Sequence, residues 1–305
     1  MQFLANTNWN FLGKKKIAFA ISGLLILASV VAIIINKGPI YNIDFKGGQV
    51  LEIGFGSVVD IGKVRDIVEA TGIKDAEIQS IGDGSVVLFR VPADVELESG
   101  ISVTDAITEQ LKTEFGEESL NLRRQEIVGP KVSNELRKQA LWATLIALVG
   151  ILIYVSIRFK FRFGIAAVIA LFHDVIITIG IFTILGREFS LPVVAAILTI
   201  VGYSINDTIV ISDRIRENIR ILYREKFEDL VNRSLNQTIS RTIITSLVVL
   251  IVLLCIFFFG GPVIHDFSLA LIIGVIIGTY SSVYVVSPIV VAWEHASPKK
   301  VGGKR

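Results

Sequence analysis

The chain contains very little cysteine and has almost no net charge. Its one cysteine, Cys255, lies in an apolar stretch, so an intrachain disulfide is excluded and cysteine usage does not identify the redox compartment. The 30 lysines and arginines nearly balance the 28 aspartates and glutamates, which leaves a formal net charge of +2. This net charge carries no information about nucleic acid, and we predict no nucleic-acid partner. The informative feature is where the basic residues lie relative to the apolar runs.

The sequence also lacks the residue patterns of common catalytic and ligand sites. In the charged segment 36–139 we find no nucleophile next to a base and no metal-ligand spacing. Gly47-Gly48 and the glycines at 54–56 do not stand in the strand–turn–helix context that dinucleotide binding requires. We therefore predict that the protein is not an enzyme and has no catalytic residue, cofactor or metal.

Long hydrophobic runs are abundant. Hydrophobic residues make up 52% of the chain, and the mean hydropathy is +0.66. Six runs are long enough, or nearly so, to cross the roughly 30 Å hydrocarbon core of a bilayer. They are residues 17–35, 140–157, 163–185, 191–211, 243–259 and 267–293. No small-residue cleavage site follows the first run, so we expect an uncleaved helix there. The predicted fold class is a polytopic α-helical membrane protein with six transmembrane helices in the lipid bilayer.

Basic residues indicate which side of the membrane each connection faces. On one side, the short connections contain only Arg187. The other side collects the basic residues of 14–16 and 214–241, together with Arg158, Lys160, Arg162, Lys299, Lys300, Lys304 and Arg305. Because cytoplasmic connections are enriched in Lys and Arg, both termini are predicted to be cytoplasmic. The cytoplasmic parts are then residues 1–16, an amphipathic surface helix within 212–242, and the tail 294–305.

The segment 36–139, between the first two runs, is predicted to form a separate domain on the far side of the membrane. Its pattern predicts strand 50–55, helix 60–70, strand 76–81, strand 85–91, helix 102–115 and strand 120–128. Gly82-Asp83-Gly84 supplies a turn between the two middle strands. This order matches the ferredoxin-like βαββαβ unit, a fold that hosts many roles and assigns no function by itself.

Polar residues interrupt the fourth run near its cytoplasmic end. Ser204, Asn206, Asp207 and Thr208 stand where lipid-facing side chains are expected. An ionisable group at this depth costs about 2.5–3.5 kcal/mol on insertion scales, so it is usually paired or faces a bundle interior or water. We take Asp207 as the centre of a functional site, with Asn206 beside it. The alternative is that both residues only hydrogen-bond a neighbouring helix.

Arg241 stands at the entrance of the fifth run, at nearly the depth of Asp207. An ion pair between the two helices is therefore geometrically reasonable. Because an arginine keeps its proton, it would be a fixed charge that Asp207 can pair with or leave. The alternative is that Arg241 only extends its charged tip to the lipid headgroups.

The third run carries His173 and Asp174 about ten residues from its start, near the bilayer midplane. Two adjacent ionisable residues at this depth are hard to explain as filler. Two interpretations stay open. The pair belongs to a proton path, or His173 donates to a backbone carbonyl while Asp174 fixes the ring.

Three motifs carry a resemblance to a known family. They are the residues 172–175 (FHDV), the stretch 202–208 followed by Asp213 and Arg214, and the stretch 234–242. Together with the domain opening at 41–48 and the order of one span, a domain and five spans, they resemble the SecF family of the bacterial SecD–SecF protein-export complex, which is related to the RND exporters. The opening reads YNIDF where GIDF is usual, a departure that does not touch the membrane site.

The resemblance implies a subunit that works with a SecD partner and the SecYEG translocon. Such a subunit uses the proton gradient to assist a translocating preprotein across the bacterial inner membrane. It implies a multi-pass protein with both termini cytoplasmic and the domain 36–139 periplasmic. It also implies that Asp207 and Arg241 belong to the proton pathway, beside Asn206. His173, Asp174 and Asp213 are then either pathway or structural residues.

Two alternatives to proton-driven export stay open. One is a structural scaffold subunit that organises the translocation channel without moving protons. The other is half of an RND-type exporter, because six spans and one external domain make half of a twelve-span exporter.

The orientation gives a first testable prediction. In a Cys255→Ser background, Asp83→Cys in the hairpin turn should react with a membrane-impermeant thiol reagent added outside the inner membrane. The control Arg220→Cys, in the predicted cytoplasmic segment, should react only after the membrane is opened. A gel assay of the mass increase measures both. Reaction of the two cysteines in the opposite order would overturn the topology drawn from the basic residues.

Overall fold

The structure, a computed structural model, describes residues 7–73, 76–93, 95, 102–159, 161–222 and 224–296, and most of them are helical. In chain order the helices are α1 (Lys15–Ile35), α2 (Ile43–Lys46), α3 (Ile61–Ala70), α4 (Val103–Phe115), α5 (Pro130–Arg158), α6 (Phe161–Ile184), α7 (Leu191–Ile221), α8 (Phe227–Phe259), α9 (Pro262–Ser281) and α10 (Ser287–Ala296). The strands are β1 (Ile40–Tyr41), β2 (Gly48–Phe55), β3 (Glu77–Ile81), β4 (Val86–Val91), β5 (Leu120–Val128) and β6 (Glu188–Phe189). Outside the described residues lie the N-terminal residues 1–6, Lys160, and the tail from 297 onward with Lys299, Lys300, Lys304 and Arg305.

Six helical segments are long and apolar enough to cross a membrane. They are α1, α5, α6, α7, α8 and a sixth span in which a π-helical turn, Ser282–Val286, joins α9 to α10. The turn ends two residues before Pro288, which has no N–H to continue the α-helical ladder. The prediction of a six-span membrane protein with a small sheet-containing domain is confirmed.

In two segments, 130–139 and 212–242, the helices differ from those predicted from hydropathy. Helix α5 begins at Pro130, whereas the predicted span begins at residue 140. The prediction of one amphipathic surface helix within 212–242 is wrong, because α7 continues to Ile221 and α8 begins at Phe227. The two extensions are held side by side by the Asn218 amide, which donates to Ser234 Oγ and Gln237 Oε1, both at 2.8 Å. Charge ends an apolar run, but it does not end a helix whose polar side chains find partners.

The unit Tyr41–Trp142 contains the α+β domain. Its antiparallel sheet has the order β3-β4-β2-β5, with β2 paired to both β4 and β5. Helices α3 and α4 contribute to one core with the inner face of the sheet, which includes Leu51, Val64, Val68, Phe89 and Ile107. The element order and the strand order are those of a ferredoxin-like fold, as predicted.

The predicted turn between the middle strands is also confirmed. Gly82 and Gly84 have positive φ angles of 68° and 90°, which side-chain-bearing residues rarely adopt. Between them, Asp83 Oδ1 accepts hydrogen bonds from the hydroxyl and the backbone N–H of Ser85, at 2.6 and 3.0 Å. These bonds hold the pKa of the Asp83 carboxyl below its usual value.

In the other unit, Met1–Ile40 with Ala143–Arg305, three spans form the interior of a helix bundle. Helix α6, helix α7 and the sixth span are buried over 56%, 50% and 61% of their most apolar windows, against 17%, 6% and 11% for α1, α5 and α8. Helix α1 packs on α6, and α8 packs on α7 and α9. Polar side chains that α6, α7 and the sixth span turn inward are therefore shielded from lipid.

Glycines allow the closest helix contacts of this unit. A Cβ atom at Gly180 of α6 would lie 2.1 Å from Ser29 Cβ of α1. On α9, Gly274 and Gly278 form a small-xxx-small pair that packs on α7, because Gly274 faces Ile200 and Gly278 faces Ser204.

We expect Gly180→Ala to destabilise the helix bundle, because the added methyl group collides with the backbone and side chain of Ser29. Overpacking of this kind costs about 1–3 kcal/mol. The matched control is Gly202→Ala on α7, where no atom of another helix among the described residues lies within 4 Å of the added methyl group. Thermal unfolding followed by circular dichroism in detergent should show a lower midpoint for Gly180→Ala alone. Equal midpoints would refute the close α1–α6 contact.

Candidate functional site

The interior of the helix bundle contains two groups of buried polar side chains. The Asp174 cluster comprises Ser22, His173, Asp174, Ser204, Tyr280 and Ser281. The Asp207 group comprises Asp207, Ser212 and Thr242. Ser204 and Asp207 both lie on α7, about one helical turn apart, so the two groups are neighbours along that helix.

Asp174 is 1% exposed and is surrounded by hydrogen-bonding groups. Its Oδ1 lies 2.8 Å from His173 Nδ1. Its Oδ2 accepts hydrogen bonds from the hydroxyls of Ser204 at 2.6 Å and Ser281 at 2.8 Å. A buried carboxyl is tolerated when it is hydrogen-bonded in this way, and its three partners come from α6, α7 and α9.

The second ring nitrogen of His173 connects the cluster to α1. His173 Nε2 lies 3.1 Å from Ser22 Oγ, and Ser22 Oγ lies 3.1 Å from the Tyr280 hydroxyl oxygen. Tyr280 donates its hydroxyl hydrogen to the carbonyl oxygen of Ala18 at 2.8 Å. The Tyr280 ring also stacks on the imidazole, with centroids 6.2 Å apart and an interplanar angle of 22°. A continuous chain of polar groups therefore runs from α6 to α1.

Asp207 is as buried as Asp174, with 2% exposure, but its surroundings differ. Within the described part of the chain, Asp207 Oδ2 has no hydrogen-bond partner. The same holds for Ser212 Oγ on α7 and Thr242 Oγ1 on α8. Leaving such an atom buried and unpaired costs about 1–3 kcal/mol, so three of them on two adjacent helices mark a site that is not built for stability.

Arg241 on α8 lies near the height of Asp207. Two hydrogen bonds join α7 to α8 on either side of these residues, from Tyr203 to Ser246 at 3.4 Å and from Arg214 to Gln237 at 2.7 Å. Counting residues between these bonds shows that Asp207 and Arg241 lie within about one helical turn of each other in height. However, Arg241 is exposed at the surface of the chain and forms no ion pair with any residue that the structure describes. The expected direct pair with Asp207 is not formed in this conformation.

The structure places Asn206 and Asp213 outside both groups. Asn206 is exposed, on a different face of α7 from buried Asp207. Asp213 forms an ion pair with Arg158 at the end of α5 and accepts a hydrogen bond from Arg216 at 3.3 Å. The contact with Arg158 connects the end of α5 to α7.

Three members of the Asp174 cluster were missed by the sequence reasoning: Ser22, Tyr280 and Ser281. Their only signal is a hydroxyl group inside an apolar run. That signal is weak because Ser and Thr are common in membrane helices and satisfy their hydroxyls within the helix. Among the described residues, no group of three or more His, Cys, Asp or Glu side chains is arranged to hold a metal ion.

Comparison with known proteins gives matches across the chain. The family profile described as protein export membrane protein SecD/SecF, C-terminal, matches residues 107–296. Protein translocase subunit SecF of Thermodesulfovibrio yellowstonii is 42% identical, over 95% of this chain and 96% of its own length. The SecF subunit of Magnetococcus marinus is 42% identical, over 99% of this chain and 97% of its own.

A solved structure is similar over the whole fold. The crystal structure of SecDF, a translocon-associated membrane protein from Thermus thermophilus, matches with a TM-score of 0.84 and 41% identity. The match covers 97% of this chain and 40% of that longer chain, so it includes both the α+β domain and the membrane helices.

Proposed function

The chain belongs to the SecD/SecF family of protein-export membrane proteins, and from this premise we propose that it uses the proton gradient to assist polypeptide translocation. A SecD subunit is its proposed partner. This chain matches 40% of the length of SecDF from Thermus thermophilus, whose name joins SecD and SecF in one protein. In the proposal the complex acts with the SecYEG translocon on a translocating preprotein in the bacterial inner membrane. Both termini are cytoplasmic and the α+β domain is periplasmic.

The observation that carries the proposal is the buried, incompletely bonded carboxyl of Asp207. A carboxyl oxygen without a partner can receive a proton without first breaking a hydrogen bond. Two further buried hydroxyls without a partner among the described residues lie on the same helices: Ser212, five residues from Asp207 toward the charged end of α7, and Thr242 on α8, near the height of Asp207. These hydroxyls can relay or orient a proton on its way to or from Asp207.

Arg241 supplies the fixed charge in this mechanism. Its side chain lies near the height of Asp207 and forms no ion pair with the described residues, so it is available to approach the ionised carboxyl and to withdraw when the carboxyl is protonated. Asn206, exposed beside Asp207, is placed to offer its amide to water or to a partner group at the outer face of α7.

The proton gradient is large enough for this work. Each proton that crosses gains about 2.3 kcal/mol per 100 mV of membrane potential. It gains about 1.4 kcal/mol more per pH unit of difference. These energies can change the populations of two helix arrangements. The protein performs no covalent chemistry on the preprotein in this proposal.

We predict that Asp207→Asn leaves membrane insertion and complex formation intact but abolishes proton-dependent stimulation of export. The amide keeps the size and polarity of the carboxyl, but it cannot gain and lose a proton. The assay is preprotein translocation into vesicles that contain the chain with its SecD partner, with and without a proton gradient. The matched control, Glu217→Gln, removes an exposed carboxylate from the same helix and should change nothing. Normal stimulation by Asp207→Asn would favour the scaffold role instead.

Arg241 gives a second prediction in the same assay. If its guanidinium forms a directed pair with Asp207 during the cycle, Arg241→Lys should reduce stimulation severalfold and Arg241→Ala should abolish it, because an ammonium lacks the planar fork of donors. Arg220→Lys, an exposed position on α7, is the control and should stay active. A fully active Arg241→Lys variant would show that the residue only reaches the lipid headgroups.

A further inference from the structure

The hydrogen bonds around His173 specify how its outer ring nitrogen is protonated. Tyr280 has one hydroxyl hydrogen and donates it to the Ala18 carbonyl oxygen, which can only accept. Ser22 must therefore supply the hydrogen in its 3.1 Å contact with Tyr280. Ser22 then has no second hydrogen for His173, so Nε2 of His173 is the donor in the 3.1 Å contact between them.

The inner nitrogen of His173 adds a second proton to the pair. His173 Nδ1 and Asp174 Oδ1 lie 2.8 Å apart, a distance that requires one hydrogen between them. Asp174 Oδ2 is already occupied as an acceptor by the hydroxyls of Ser204 and Ser281. Whether the shared hydrogen is bonded to nitrogen or to oxygen, the pair holds two labile protons and has zero net charge. A neutral pair suits its burial, since His173 and Asp174 are 4% and 1% exposed.

We propose that the His173–Asp174 pair is a second proton-exchange site in the bundle, distinct from Asp207, and that the hydroxyl chain through Ser22 and Tyr280 transmits its protonation state to α1. This inference rests on the proposed proton-coupled function and adds a site and a coupling route to it. Of the two interpretations that the sequence left open, the structural one had His173 donate to a backbone carbonyl, whereas its Nε2 contacts the Ser22 hydroxyl.

The exchange step is a simple proton transfer. The N–H bond at Nε2 breaks, the electron pair stays on nitrogen, and the proton passes to water, which leaves one proton and a net charge of −1 on the pair. The bare nitrogen then needs a donor. Ser22 provides one by turning its hydrogen from Tyr280 to Nε2, which removes the hydrogen bond that Tyr280 had accepted. Protonation of Nε2 reverses these changes.

The hydroxyl chain acts on α1 because both of its outer contacts are with that helix. Ser22 Oγ and the Ala18 carbonyl are α1 groups, bonded to α6 and α9 through His173 and Tyr280. Loss of the Nε2 proton therefore changes hydrogen bonds between α1 and the bundle interior. Helix α1 is also the span that leads into the α+β domain along the chain.

Few other ionisable groups surround the pair. Helix α1 has no charged side chain after Lys16, and α7 offers Ser204 with Asp207 about one turn further on. The sixth span offers Tyr280 and, 5.3 Å from it by ring centroids, Tyr284. Within the described part of the bundle, no other formal charge contacts His173 or Asp174.

Nitrogen-15 NMR of the histidine ring tests the inference directly. The chain has three histidines, so His265→Gln with His295→Gln leaves His173 as the only one. In the full chain in lipid bilayers near neutral pH, we expect Nε2 in the protonated range and Nδ1 in a strong hydrogen bond. Tyr280→Phe releases the Ser22 hydrogen, so at the same pH the signal of unprotonated Nε2 should increase severalfold. Tyr284→Phe is the matched control and should leave the spectrum unchanged.

Two results would overturn the inference: unprotonated Nε2 in the parent chain, or identical spectra for the parent and Tyr280→Phe. A third spectrum, of Asp207→Asn, should match the parent if the two sites are distinct, and a changed Nε2 signal would refute that distinction. The spectra are recorded without export. A failed export assay would therefore contradict the proposed function without affecting the Nε2 result. An unprotonated Nε2 would contradict this inference without affecting the export assay of Asp207.

Discussion

A carboxyl group that is 1% exposed inside a membrane bundle requires hydrogen-bond partners, and Asp174 has partners on three helices. His173 on α6, Ser204 on α7 and Ser281 on α9 all bond its two oxygens. Removing the His173 ring would leave Oδ1 unpaired, and removing both serine hydroxyls would leave Oδ2 unpaired, each at a cost of about 1–3 kcal/mol. The positions of α6, α7 and the sixth span are therefore linked through one side chain, and Ser22 adds α1 through His173.

The second buried carboxyl, that of Asp207, lies on α7 about one turn from Ser204 and is less completely hydrogen-bonded than that of Asp174. Asp207 is left with an oxygen that has no partner among the described residues, beside Ser212 and Thr242 in the same condition. A satisfied network rigidifies a core, whereas an unsatisfied one retains free energy that a change of protonation or a side-chain movement can release. The two buried carboxyls therefore differ in how completely the described residues satisfy their oxygens.

The packing of glycines sets how close the helices around the Asp174 cluster can approach. Gly278 lets α9 lie against Ser204, which brings Ser281 within reach of Asp174 on the next turn. Gly180 lets α1 lie against α6, which brings Ser22 within reach of His173. In lipid there is no hydrophobic force between helices, so this close contact and the buried hydrogen bonds are the interactions that hold the spans together.

The sequence alone determined the six spans, the ferredoxin-like order of the α+β domain and the presence of ionisable residues 173, 174 and 207 inside apolar runs, because hydropathy, strand period and charge within a run are local properties. Only the tertiary structure decided which polar groups meet. Ser22 is far from His173 along the chain, and a lone hydroxyl in an apolar run carries no information about its partner. The same limit explains the division of 212–242 between α7 and α8, since the contact of Asn218 with Ser234 that holds the two extensions together forms only when both helices are in place.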